Sequence, residues 1–237
     1  NKLSAEGTTA LGSLSVNKAG ILMAYQLSVA GSDWSEIHVM DIKTGKEVGD
    51  LLKWVKFSGV SWKGNDGFLY THYDEPKGGH DLSEKNEFPK VYFHKVGQEQ
   101  GKDQLVYEDK KNAQRTYEVQ VTEDGKYLLL YASESTSGNS LMIKDLSKPN
   151  ASFKTIVDNF ENNYGVLDNV GSDLLVITDK NAPKYQLVLI NPDKPQPENW
   201  KKIIPETNDL LQSVTMANGK LVVKYLKDVT HHIYIYD

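Results

Sequence analysis

The sequence predicts an all-β fold, a partial β-propeller built of four-stranded blades, on the strength of three observations. A Gly-containing turn followed at once by an apolar, Tyr-rich run occurs five times, with leading glycines at Gly20, Gly67, Gly125, Gly171 and Gly219. The intervals are 47, 58, 46 and 48 residues, and a period near 50 with strand-like content is the mark of propeller blades. Helical periodicity is nearly absent, because no stretch sustains an i, i+3, i+4 apolar pattern.

The strands follow in order. The runs after the five glycines cover residues 21–27, 68–73, 127–131, 174–177 and 221–225. Their Val, Ile, Leu and Tyr content suits a pleated, half-buried surface. A second run follows in each unit at 37–42, 91–96, 141–146, 187–190 and 233–236. Four units add a third at 47–52, 104–107, 153–157 and 201–204, and one more strand precedes each turn at 11–16, 55–62, 119–122, 166–168 and 211–215. The repeats therefore span roughly 9–52, 55–108, 116–158, 164–205 and 210–237, the last stopping at Asp237 after three strands.

The turns have their own chemistry. Asp66-Gly67, Asp124-Gly125 and Asn218-Gly219 are pairs that reach positive φ cheaply in tight hairpins. Residues 74–89, rich in Gly, Pro and charge, read as a polar surface insertion in the second repeat. An unclosed propeller leaves strand edges that template unwanted pairing. Truncation and self-association through those edges are accordingly expected.

Composition narrows the function classes. Apolar residues at 39% and charged residues at 25% fit a folded globular domain. The net charge of −5, without any basic block, argues against a nucleic-acid partner. With no cysteine there is neither disulfide nor thiolate chemistry. No apolar run approaches the roughly 18 residues of a membrane helix, so no membrane partner is expected.

One ordered set of residues resembles a known family. It begins with Gly31-Ser32-Asp33-Trp34, Glu36-Ile37, Met40-Asp41, Thr44-Gly45-Lys46-Glu47, Trp54-Val55-Lys56-Phe57-Ser58 and Ser61-Trp62. It continues with Lys90-Val91-Tyr92-Phe93-His94-Lys95-Val96-Gly97, the Thr122 to Leu130 stretch and Asp158-Asn159-Phe160-Glu161. It closes with Asn199-Trp200-Lys201, Ile204-Pro205-Glu206 and Tyr225-Leu226-Lys227-Asp228-Val229. In these residues the chain resembles the prolyl oligopeptidase family over nearly its whole length. The resemblance implies a seven-bladed propeller, about five blades of it here, over an α/β-hydrolase domain that this chain lacks. It implies short proline-containing peptides as substrates and cleavage after proline by a serine nucleophile in the parent protein. It also implies two site residues: Asp33, facing the hydrolase domain and an arginine there, and Phe57, reaching into the substrate pocket. Without the resemblance, Asp33 reads as a turn former and Phe57 as a core residue of the strand 55–62. The family's apolar pocket residues would fall near Thr116 and Thr136, which depart from that pattern.

No chemistry of the chain's own emerges. A Gly-x-Ser-x-Gly nucleophile elbow is absent, the nearest approach being Gly59-Val60-Ser61-Trp62-Lys63. His231 and His232 are adjacent and would point to opposite faces of a strand. His72, His80 and His94 have no metal-ligand spacing around them. Gly78-Gly79-His80 is too short to cradle a phosphate. No catalytic residue, metal or cofactor is therefore expected. Trp34, Trp54, Trp62 and Trp200 read as packing between blades rather than a sugar-stacking set. The reading is a non-catalytic portion of a prolyl endopeptidase, gating short peptides and helping to form their pocket. Isolated, the chain is expected to hydrolyse no peptide bond. The alternatives are a stand-alone interaction propeller and a small glycosidase using Asp41, Asp145 and Asp237, which read better as blade-end turns.

Overall fold

A computed structural model describes residues 7–28, 31–76 and 85–237; the Gly78-Gly79-His80 segment lies outside them. Nineteen strands follow one another among these residues. The first sheet runs β1 (Ala10–Val16), β2 (Leu22–Ser28), β3 (Ser35–Asp41) and β4 (Lys46–Val55). It continues through β6 (Gly67–His72), β7 (Lys90–Lys95) and β8 (Gln104–Glu108), with the short β5 (Ser61–Trp62) on β6. Two blades are thus joined edge to edge by one pairing, Val55 with His72.

The third blade comprises β9 (Thr116–Val121), β10 (Tyr127–Ser133), β11 (Ser140–Asp145) and β12 (Lys154–Val157), in the order β12-β11-β10-β9. The fourth comprises β13 (Tyr164–Val170), β14 (Asp173–Thr178), β15 (Gln186–Ile190) and β16 (Lys201–Ile204). The last has β17 (Leu210–Ala217), β18 (Lys220–Lys227) and β19 (Thr230–Tyr236). Neighbouring strands are antiparallel throughout the fourth and fifth blades, and the register shifts once within the first hairpin of each. The same shift occurs between β1 and β2. The fold is an all-β, partial β-propeller.

The chain divides into two compact units, Asn1–Val121 with Leu128–Ala132, and Thr122–Tyr127 with Ser133–Asp237. The first has a core of Ala24, Ile37, Val39, Leu52, Val55, Phe68 and Tyr70, drawn from strands of both its blades. Trp62 adds a tie between these blades, its indole N–H donating to the Ser15 carbonyl at 3.0 Å. In the second unit, Leu175, Leu187 and Ile204 of the fourth blade pack with Leu211, Val214, Val223 and Tyr225 of the fifth.

Two local expectations are corrected. The strand expected over 55–62 is broken, since β4 ends at Val55 and β5 holds only Ser61 and Trp62. Phe57 takes a φ of 52°, a left-handed conformation that an extended strand does not carry. Gly67 does not supply the positive φ of its turn; Gly64 does, at 73°. Gly67 instead opens β6, where an added Cβ would stand 2.3 Å from the Phe93 ring and 2.6 Å from the His94 carbonyl oxygen. There glycine allows close approach rather than a turn. The Asp-Gly and Asn-Gly turns at Gly125 and Gly219 do have positive φ, 74° and 77°.

Candidate functional site

The break in the strand builds the site. After β4, Ser58 is pinned from two sides: its carbonyl accepts the Gln26 side-chain amide at 2.6 Å, and its hydroxyl accepts the Thr71 N–H at 2.8 Å. Phe57, one residue earlier, is left with 66% of its surface exposed. A core position for Phe57 is therefore excluded.

Asp33 lies in the turn between β2 and β3, with its side chain 80% exposed. Ser32 shapes that turn by accepting the Trp34 N–H on its hydroxyl at 3.1 Å. Lys56 joins the two candidate residues. Its Nζ is 3.5 Å from Asp33 Oδ2 and 5.6 Å from the centre of the Phe57 ring. The same ammonium lies 5.0 Å from the Trp34 ring, and its side chain is only 11% exposed. A largely desolvated ammonium over aromatic faces is held more firmly than one in water. Behind it, Trp34 meets Trp54 and Tyr73 edge-on at 5.6 and 5.8 Å. The sequence missed Lys56 and this aromatic base, because positions 33, 56 and 73 meet through the β3–β4 and β4–β6 pairings.

Beside this cluster Trp34 and Tyr73 line a cavity of about 220 Å³ with Asp74, Glu75 and Asn86. A second cavity, of about 360 Å³, runs from Asp74 past Phe88 and Lys90 to Asp109. Lys90 closes on both Asp74 oxygens at 2.5 and 2.7 Å. Burial lowers the Lys90 pKa, but the Asp74 carboxylate outweighs it and the net shift is upward. This rim can present an aromatic face, a carboxylate and a bound ammonium to a ligand.

The other candidates lie apart from it. Thr116 is half-buried at the start of β9, and Thr136 is exposed after β10. Trp62 stacks edge-on with Phe68 at 5.2 Å and Trp200 with Tyr164 at 6.3 Å, so only Trp34 and Trp54 of the four tryptophans meet. Asp41 and Asp145 are turn formers that accept from Thr44 and Ser147 respectively. Among the described residues no three His, Asp or Glu side chains are placed to hold a metal ion. His94, however, is not free of carboxylates: Asp50 and Asp103 each approach it at 2.8 Å, from 44 and 9 residues away in sequence.

Comparison with known proteins agrees with the fold. The family model for the prolyl oligopeptidase N-terminal β-propeller domain matches residues 1–237. Among curated relatives, a prolyl endopeptidase of Elizabethkingia miricola is 44% identical over 237 residues, which is all of this chain and 33% of the relative. A prolyl endopeptidase of Elizabethkingia meningoseptica is 42% identical over the same span and share. The solved prolyl oligopeptidase B of Galerina marginata, bound to a 35mer hydrolysis and macrocyclization substrate, superposes with a TM-score of 0.91 at 29% identity, over all of this chain and 35% of that one. The chain thus spans about a third of the length of the relatives it matches. Its sequence, its repeated four-stranded sheets and these likenesses place it in the family of prolyl oligopeptidase N-terminal β-propeller domains.

Proposed function

We propose that this domain is the non-catalytic gate and pocket wall of a prolyl-specific serine endopeptidase whose α/β-hydrolase domain lies elsewhere in the parent protein. The observation that carries the reading is the convergence of Asp33 and Phe57 on Lys56 at an exposed rim. The carboxylate and the ring, although both lie beside Lys56, are exposed enough to meet a second domain and a short proline-containing peptide. A propeller over the active site would exclude folded chains and order the residues flanking the cleaved bond. In the full-length protein, Asp33→Asn and Phe57→Ala are each expected to raise KM for a short proline-containing peptide about tenfold, equivalent to roughly 1.4 kcal/mol of binding. Since both side chains are exposed, the melting temperature should stay put. An unchanged kcat/KM in both variants would remove the two residues from the pocket.

We also propose that the 237-residue chain alone self-associates through β19. All seven residues of that strand are exposed, Ile233 and Ile235 at 64% and 67%, and among the described residues it pairs only with β18. An open apolar edge templates pairing with another chain. Sedimentation at micromolar concentrations should show dimers or larger species, and Ile233→Lys with Ile235→Lys should restore the monomer. A monomeric wild-type chain would rule this out.

A further inference from the structure

His94 of β7 is enclosed, with 1% of its side chain exposed, and it faces a carboxylate at each ring nitrogen. Nε2 lies 2.8 Å from Asp50 Oδ1 and Nδ1 lies 2.8 Å from Asp103 Oδ1; the two aspartate side chains are 0% and 1% exposed. A neutral imidazole has one N–H, so only the doubly protonated ring can donate to both. The two nitrogens point away from each other, which also prevents the three groups from sharing a metal ion.

The cluster spans two blades. Asp50 belongs to β4 in the first, while His94 and Asp103 belong to the second. The dependence on His94 is uneven. Asp103 has two further donors, the Tyr70 hydroxyl at 2.7 Å and the Gln98 amide at 3.0 Å. Besides the imidazole, Asp50 accepts from the Gly97 N–H at 2.6 Å and is helped by its own backbone N–H, while its Oδ2 is buried without a hydrogen-bond partner among the described residues. Of the other titratable groups, His72 of β6 and Tyr92 of β7 also feel the Asp103 charge. Burial lowers the His72 pKa and raises that of Tyr92, so both stay neutral where His94 titrates. β6 presents the Phe68 ring, centred 5.2 Å from the imidazole. Lys102 and Glu99, on the 3-10 turn ahead of Asp103, pair with each other at the surface at 3.1 Å. Lys53 of β4 engages Gln100 only through its backbone.

We propose that Asp50, His94 and Asp103 form a protonation-dependent latch between the first and second blades, closed while the imidazole carries both protons. Loss of one proton would leave a nitrogen lone pair 2.8 Å from a buried carboxylate and two buried anions with no cation between them, an arrangement a dry interior does not tolerate. The latch does not depend on any peptidase role.

The pH window follows from the charges. Burial alone favours neutral His94, but hydrogen bonds and charge from Asp103 and Asp50 outweigh it and push its pKa up to about 9. An opened latch would release the proton near the ordinary value of about 6.5. Closure is therefore fully favoured below about pH 6.5, weakens about tenfold per unit as pH rises toward 9, and levels off above that. At the acid end, burial raises the Asp50 pKa, but His94 and the Gly97 N–H lower it further, to a net value below the usual 3.8. That contribution is present above the ordinary carboxylate range and disappears as pH falls through the lowered value. The latch is firmest between roughly pH 4 and 6.5.

Two measurements on the isolated domain test it. Nitrogen NMR of the His94 ring at pH 7.5 should show protons on both Nδ1 and Nε2. Hydrogen exchange at the Gly97 amide, corrected for base catalysis, should be flat below pH 6.5 and then lose protection about tenfold per unit up to about 9. Asp103→Asn should shrink that total change by at least tenfold, because it removes one of the two carboxylates that hold the proton. A single ring proton at pH 7.5 would overturn the proposal. So would Gly97 protection that stays constant from pH 6.5 to 9. Both readouts on the wild-type chain decide the matter even if the variant does not fold.

Discussion

Gly138→Ala is expected to destabilise the domain by about 2–5 kcal/mol. Gly138 has φ of 77°, a conformation that costs an L-residue roughly 1–2 kcal/mol. Its added Cβ would stand 1.9 Å from the Phe160 carbonyl oxygen and 2.7 Å from the carbonyl carbon. That is backbone, so no side-chain rotation relieves it, and overpacking of this kind costs about 1–3 kcal/mol more. The loop cannot step aside cheaply. Gly138 donates its N–H to the Asn163 side chain at 2.9 Å, and Asn139 pairs with the Tyr164 backbone in both directions at 2.9 and 3.1 Å. Gly171→Ala is the control, since Gly171 has φ of 64° and nothing within 4 Å of an added Cβ. It should cost only the conformational share, about 1–2 kcal/mol. Equal denaturant midpoints for the two variants would show that the Phe160 contact carries no weight.

The second large effect is expected from Phe68→Ala, about 3–5 kcal/mol. Phe68 is completely buried among Ala24, Ile37, Val39, Leu52 and Val55 of the first blade and Tyr70 of its own. Its ring also meets Trp62 and His94, both at 5.2 Å. Truncation leaves a cavity bounded by two blades whose single pairing, at Val55 and His72, offers little to draw them together. Phe57→Ala makes the comparison informative. It is the same residue type only eleven positions away, yet 66% exposed, and it should change stability by less than about 0.5 kcal/mol. Chemical denaturation of both variants checks the pair; comparable losses would mean that Phe57 is packed after all.

Part of the rim could be anticipated, and the latch could not. Asp33 and Phe57 were identified by resemblance, and the residues alone gave Phe57 a core position in a strand over 55–62. That reading failed because alternation of apolar residues does not reveal a left-handed φ at Phe57. The Asp66-Gly67 pair looked like a turn because composition alone cannot distinguish a glycine needed for φ from one needed for closeness. His94 looked like an ordinary histidine, and in exposure it is a core residue. Its charge partner Asp50 lies 44 residues away, nearly one blade of sequence, and no spacing rule connects them.

The sequence by itself determined the repeat, the strand-rich blades and the Asp-Gly and Asn-Gly hairpins at Gly125 and Gly219. These depend on local physics: alternation with a period of two, the steric freedom of glycine and the preference of branched and aromatic residues for extended backbone. Only the tertiary structure decided where one blade meets the next. The convergence of Asp33, Trp34, Lys56 and Phe57 and the closing of Asp50 and Asp103 on His94 both depend on strand pairings between distant segments. Those pairings follow from burying apolar faces such as that of Phe68, and burial has no fixed spacing along the chain.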